Sequence, residues 1–371
     1  MSKKPLYYAI TIVSAILLLV VGNISVSRES SAGARHEPTI VPAVVTEIVS
    51  RTEEYHVIRP GFSITYVDID FVARITSGEH DGEYIRTAHT VMTDTEIRRG
   101  DRILLIYNEF RGQFFFFDFV RINHIFLLGF VFFGLLLAFG RGKGVAATVA
   151  LGLTCAAIFL VFIPAILAGV NIYAATFLLC TYGVLVTLLL VVGFNTKTLS
   201  AALGCLGGIL FAGGLMLIMN VTLRLTGFVD HDAQQLFALP YPVNLRAIIF
   251  SGVIIGAMGA IMDVAMSIAS SLWELKRFDK ADFAELFKSG INIGQDIMGT
   301  MLNTLILAYI GSSLSMILVL SAGTLSPTRL MNTEMIAVEI LRALIGSFGM
   351  LLAIPLTAAI CAWLYSAPSA Q

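Results

Sequence analysis

Two aspartates stand where an ionisable side chain is costly. Asp263 falls in a long apolar stretch ten residues before Trp273, and Asp296 lies in the next such stretch, eight residues beyond Lys288. A carboxylate in hydrocarbon costs about 2.5–3.5 kcal/mol on insertion scales, so an acid kept there needs a proton, a cation or a partner. At a rise of about 1.5 Å per residue, Asp263 sits about 15 Å in from the helix end that Trp273 marks. Snorkelling does not reach water from that depth. Ser267, Ser270, Ser271 and Glu274 follow Asp263 at helical spacing and mark one polar face. On the following stretch Asn292, Asp296, Thr300, Asn303 and Thr304 repeat the pattern. A short connection makes the two helices antiparallel and brings Asp263 and Asp296 to similar depth, on stripes expected to face protein or a water-filled cavity. Carboxyls ringed by amide and hydroxyl oxygens suit a proton relay or a hard-cation site. The competing reading is helix adhesion by hydrogen bonds. Adhesion is the stronger reading for the serines, threonines and asparagines, and the weaker one for the two acids, because it does not require an ionisable group.

Glu339 and Arg342 are one helical turn apart and can pair along their own helix. The uncharged stretch 343–365 is already long enough to span, so the pair is expected near the outer surface, as a gate or an interfacial ion pair. Glu79, His80 and Asp81 have ligand chemistry but share one turn with no second cluster, which favours a solvated hairpin tip over a metal site. Cys155, Cys180, Cys205 and Cys361 fall in apolar runs without CxxC or Cys/His spacing and read as small buried hydrophobes. The GRGKG stretch at 140–144 lacks the full phosphate-loop spacing and fits a turn. No cofactor-binding sequence stands out, and without HExxH, GxSxG or a nucleophile beside a base the chain does not read as an enzyme.

The elements that must hold these residues are membrane helices. Hydrophobic residues make up 57 % of the 371 residues and charged ones 13 %, against about a quarter charged in a soluble domain. The 24 basic and 25 acidic residues are scattered, which excludes a nucleic-acid stripe. About eight stretches have the roughly 20 residues needed to cross hydrocarbon: 6–26, 122–140, 145–168, 172–194, 199–221, 246–273, 291–320 and 337–365. The first lacks a clear cleavage site and reads as an uncleaved anchor over 1–27. Lys3, Lys4, Arg141, Lys143, Lys197, Lys276, Arg277, Lys280 and Lys288 fall on one side if the spans alternate, so both termini are expected in the cytoplasm and 28–121 outside it. Tyr7, Tyr8, Trp273 and Trp363 at inner ends, and the run Phe114 to Phe117 at an outer end, fit an interfacial aromatic belt. Gly204 with Gly208 and Gly252 with Gly256 put small residues on one face for helix packing, while Pro164 and Pro355 mark kinks. Phe283, Leu286 and Phe287, spaced helically among charges, predict an interfacial helix over 276–288.

Within 28–121, the segment from about 38 to 112 changes character. The alternation from Ile64 to Ile75, punctuated by Gly61, Gly78, Gly82 and Gly100, predicts short strands in a small all-β barrel or sandwich. The remainder, 122–371, forms a seven-helix transmembrane domain.

Three strings carry a resemblance: 256–271 (GAMGAIMDVAMSIASS), 289–311 (SGINIGQDIMGTMLNTLILAYIG) and 333–342 (TEMIAVEILR). With them the chain from Arg121 onward resembles the YibE/F-like family of bacterial membrane proteins. Gln295 departs from that family's pattern, which carries a basic residue there and so a counter-ion beside Asp296. The resemblance implies a multi-pass protein of the bacterial inner membrane and assigns no activity. Two functions are therefore weighed. One is a secondary transporter or permease binding a small ion or proton at Asp263 and Asp296; the other is a non-transporting scaffold or sensor whose β-domain binds an extracytoplasmic protein. Oligomeric state is not readable from the glycine faces alone.

Overall fold

The computed structural model describes residues 4–29, 39–59, 62–91, 97–109, 111–229, 231–238, 243–278, 282–323 and 326–366. Lys3, Gly61 and Lys280 lie outside the described residues. The chain divides into two compact units, one of Gly33–Leu135 and one of Met1–Ala32 with Leu136–Gln371.

The first unit is built on five strands: β1 (Ile40–Arg59), β2 (Phe62–Ile75), β3 (Tyr84–Val91), β4 (Arg102–Asn108) and β5 (Gln113–Phe119). They form one antiparallel sheet in the order β3-β2-β1-β4-β5. Alternate residues turn to one side, as the strand period requires. Val41, Ala43 and Val45 of β1, Ile69, Phe71, Ala73 and Ile75 of β2, and Ile103 and Leu105 of β4 make the core. The His89 ring of β3 lies 4.0 Å from that of Phe116 of β5, so the two strands at opposite ends of the ladder order meet and the sheet curls. β5 holds the aromatic run. Phe114 to Phe117 belong to a strand, with Phe114 in the core and Phe117 outward, and the β-region extends past 112 to Phe119. An all-aromatic run hides the alternation of inward and outward positions.

The second unit is helical: α1 (Lys4–Glu29), α2 (Ile122–Ala157, of which the part from Leu136 belongs here), a π-helical run (Ile158–Phe162), α3 (Ile163–Leu167), α4 (Ile172–Val191) and α5 (Thr196–Thr222). The chain continues through α6 (His231–Phe237), α7 (Leu245–Phe278), α8 (Phe283–Ser312), α9 (Leu314–Ala322), α10 (Pro327–Met331) and α11 (Glu334–Ser366). Among the described residues, five helical stretches are long and apolar enough to cross a membrane: Ile122–Leu167, Ile172–Val191, Thr196–Thr222, Leu245–Arg277 and Glu334–Ser366. α8 and α9 together pass the same test but bend by 61° at their junction. The 46 residues from Ile122 to Leu167 would make about 70 Å of straight helix, more than twice a hydrocarbon core of about 30 Å. The helix is not straight. Arg141 has φ 47° and ψ −131°, and a Cβ on Gly144 would run into the Leu136 carbonyl, so the chain folds back at the GRGKG stretch.

α11 is the hub, packed against α5, α7 and α8. Small residues let the backbones approach closely. A Cβ on Gly208 of α5 would stand 2.8 Å from the Gly349 carbonyl oxygen of α11, one on Gly290 of α8 would stand 2.7 Å from Ala358, and one on Gly294 would collide with Ile354. Buried hydroxyls tie helices as well, Ser200 of α5 to Tyr365 of α11 at 2.9 Å and Thr176 of α4 to Ser251 of α7 at 2.6 Å.

Two helix boundaries differ from expectation. α7 continues to Phe278 and α8 starts at Phe283, capped by the Asp282 side chain accepting from the Glu285 N–H at 2.8 Å. The expected interfacial helix is thus the ends of two longer helices, and Leu286 is buried in their common core. The span expected over 291–320 breaks at Ser313. Gly311, Ser312 and Ser313 follow one another there, and the Ser312 hydroxyl donates back to the Tyr309 carbonyl at 2.8 Å, a bond that bends helices.

Candidate ion-binding face on α7 and α8

α7 has two contrasting sides. Phe250, Val253, Ile254, Ala257, Ile261, Val264, Ile268 and Leu272 are buried against the bundle. Gly252, Gly256, Gly259 and Asp263 lie on the opposite side and are exposed in the single chain, with Ser267 and Ser270 half-buried and Ser271 and Glu274 exposed further along. α8 repeats the arrangement. Gly290 and Gly294 face α11, while Asn292, Asp296, Thr300, Asn303 and Thr304 are exposed on the other side. Within one chain both stripes look outward rather than into the bundle. Glycine and alanine, not the polar groups, mark the contact faces.

Contacts between the two helices fix their levels. A Cβ on Gly290 would meet Leu272 at 3.0 Å, and one on Gly256 would meet the Tyr309 hydroxyl at 2.8 Å. Counting along antiparallel helices from these contacts, Asp263 is level with Gly299–Leu302 and Asp296 with Met266–Ala269. The offset between the two acids is three to six residues, about one to two helical turns. Among the described residues, neither carboxylate has a hydrogen-bond or ion-pair partner, and neither does the Ser267 hydroxyl or the Asn303 amide. The Thr300 hydroxyl donates to the Ile297 carbonyl at 3.0 Å and the Thr304 hydroxyl to the Thr300 carbonyl at 2.9 Å, which leaves their oxygen lone pairs outward. Carboxylate, amide and hydroxyl oxygens on one face are the donor set a proton or a hard cation takes.

Glu339 and Arg342 form an ion pair on α11, with side-chain exposures of 17 % and 31 %. The Ser313 hydroxyl, at the α8–α9 bend, donates to the second Glu339 oxygen at 2.5 Å. A cavity of about 230 Å³ adjoins them, lined by Tyr309, Ser313, Ile317, Ile336, Glu339 and Ile340 among others. The Tyr309 hydroxyl is buried there without a hydrogen-bond partner among the described residues. Sequence reasoning missed Tyr309 and Ser313; the interruption of the apolar run at Gly311-Ser312-Ser313 was the available signal.

Elsewhere the ligand-type residues are dispersed. His80 Nδ1 lies 3.1 Å from Glu83 in the turn after β2, and no group of three or more His, Cys, Asp or Glu that could hold a metal occurs among the described residues. Cys180, Cys205 and Cys361 are buried, and Cys155 is exposed on the unit's surface. On the β-sheet, burial against Phe116 pushes the His89 imidazole below its ordinary pKa, opposed by the nearby Asp118 carboxylate. The Arg121 guanidinium and the Phe119 N–H hold Asp118 below the usual carboxylate range.

No curated protein and no solved structure matches the chain. The profile of the family described as YibE/F-like protein matches residues 128–367, which include every helix that builds this face. By that match, over well more than half its length, the chain belongs to the YibE/F-like family.

Proposed function

We propose that the chain is a multi-pass protein of the bacterial inner membrane that acts as a secondary transporter or permease, binding a proton or cation on the polar face of α7 and α8. One observation carries this reading: Asp263 and Asp296, both without partners among the described residues, sit within one to two turns in level on neighbouring antiparallel helices. Neither adhesion nor solubility needs two acids there, and each costs about 2.5–3.5 kcal/mol against lipid. In this reading the described residues make eight crossings: α1, each limb of Ile122–Leu167 on either side of Arg141, α4, α5, α7, α8 with α9, and α11. The basic short loops put both termini in the cytoplasm and residues 28–121 outside. The five-stranded unit is then a small extracytoplasmic β-domain of barrel type, its sheet curled so that His89 of β3 meets Phe116 of β5.

Reconstituted protein should show ion-dependent flux that disappears in Asp263→Asn. Undiminished flux in that variant removes the role of the acid.

A second reading, a scaffold or sensor, is favoured by one feature of the sheet. β1 and β2 pair out to Arg59 and Phe62, beyond the end of the β2–β3 ladder at Val67, leaving a two-stranded ribbon with Tyr55 outward. Such a ribbon is marginal alone and suits a protein partner. Deleting residues 40–119 separates the readings: a transporter keeps flux through the helical unit, whereas a sensor loses its partner in pull-down.

A further inference from the structure

The candidate site is half built within one chain. Gly252, Gly256, Gly259 and Asp263 on α7, and Asn292, Asp296, Gly299 and Asn303 on α8, are all exposed. A Cβ on Gly252, Gly259 or Gly299 would meet nothing within 4 Å, in contrast to the packed glycines that face α11. Open glycines in a span admit another backbone at close range, and the acids beside them need a polar cover.

We propose that the cover is a second copy of this chain, related by a twofold axis along the membrane normal, with α7 of each copy against α8 of the other. The inference rests on the reading of this face as the ion site and adds its missing half. An axis along the normal preserves depth, so levels measured within one chain also hold between copies. Asp263 then faces the level of Gly299–Leu302, one residue from Asn303, and Asp296 faces Met266–Ala269, which includes Ser267. Each acceptor meets a donor that is unused within its own chain, the Asn303 amide or the Ser267 hydroxyl. The face is therefore complementary to itself in hydrogen bonding, and the seam brings four carboxylates along one path.

Full-length protein in phospholipid nanodiscs tests this by mass and by cross-linking. The wild type is expected at the mass of two chains. Ile310 is exposed on the same side of α8 as Asn292 and is level with α7 near Gly252. Two differently tagged forms are therefore co-expressed, one with Gly252→Cys and one with Ile310→Cys, each also carrying Cys155→Ser. Oxidation in membranes should join the two tags in one disulfide-linked species. Leu210→Cys, exposed on α5, should not join to Ile310→Cys. A single-chain mass, one chain with a different polypeptide, or linkage through Leu210→Cys instead of Gly252→Cys overturns the proposal. If Gly252→Cys fails to assemble, the wild-type mass decides. A dimer without ion flux keeps the interface and removes the transport reading; flux from a verified monomer does the reverse.

Discussion

Ser313 donates its hydroxyl to Glu339 at 2.5 Å, joining the bend between α8 and α9 to the hub helix α11. Arg342 takes the other oxygen of the same carboxylate, which is only 17 % exposed. Removing the cation alone leaves a largely covered charge uncompensated. Arg342→Met is therefore expected to destabilise the protein by about 3 kcal/mol, and adding Glu339→Gln should restore much of that loss. Thermal unfolding in detergent reads both variants, and equal melting of Arg342→Met and wild type would show that the pair contributes nothing to the fold.

Gly294 and Gly259 predict opposite outcomes although both lie in long helices. A side chain at Gly294 would collide with Ile354, so Gly294→Val should force α8 from α11 at a cost of about 1–3 kcal/mol. Gly259 has open space around it within one chain, and Gly259→Ala should leave melting unchanged or slightly raised in protein dispersed to single chains by detergent. Side-by-side melting curves check the contrast.

His89 gives the β-sheet an acid-sensitive step. Its folded pKa lies below the unfolded value of about 6.5, so the unfolded chain takes up a proton first as pH falls. Stability is full above about pH 6.5 and declines until the lower folded pKa is reached. Asp118, held below the ordinary carboxylate value of about 3.9, stays ionised through that window. Protection factors of the β2 and β3 amides, which correct for the intrinsic pH dependence of exchange, should fall as pH is lowered through about 6.5 in the wild type, and His89→Phe should flatten that dependence. An unchanged slope in the variant would assign the step to another group.

The polar stripes and the strand alternation from Ile64 to Ile75 were legible because each has a period its element imposes. Direction was not. Asp263 and Asp296 share faces with the residues expected, yet the stripes look outward, since periodicity groups a face without saying what it packs on. Gly290 and Gly294, the face of α8 packed on α11, are invisible to a hydropathy count because a glycine adds almost nothing to it. The turn at Arg141 was readable from flanking glycines and charges. The break at Ser313 left only the Gly311-Ser312-Ser313 interruption as a signal, a weak one because hydroxyl residues are common inside spans and their bonds to Glu339 and to the preceding turn give them effect.

If Asp263 and Asp296 serve one site, proton or cation flux in reconstituted vesicles reads it out in Asp263→Asn, Asp296→Asn and the double variant. A shared site predicts that each single substitution abolishes flux as completely as the double one. Flux that survives both singles, or that falls by independent factors in each, would contradict it.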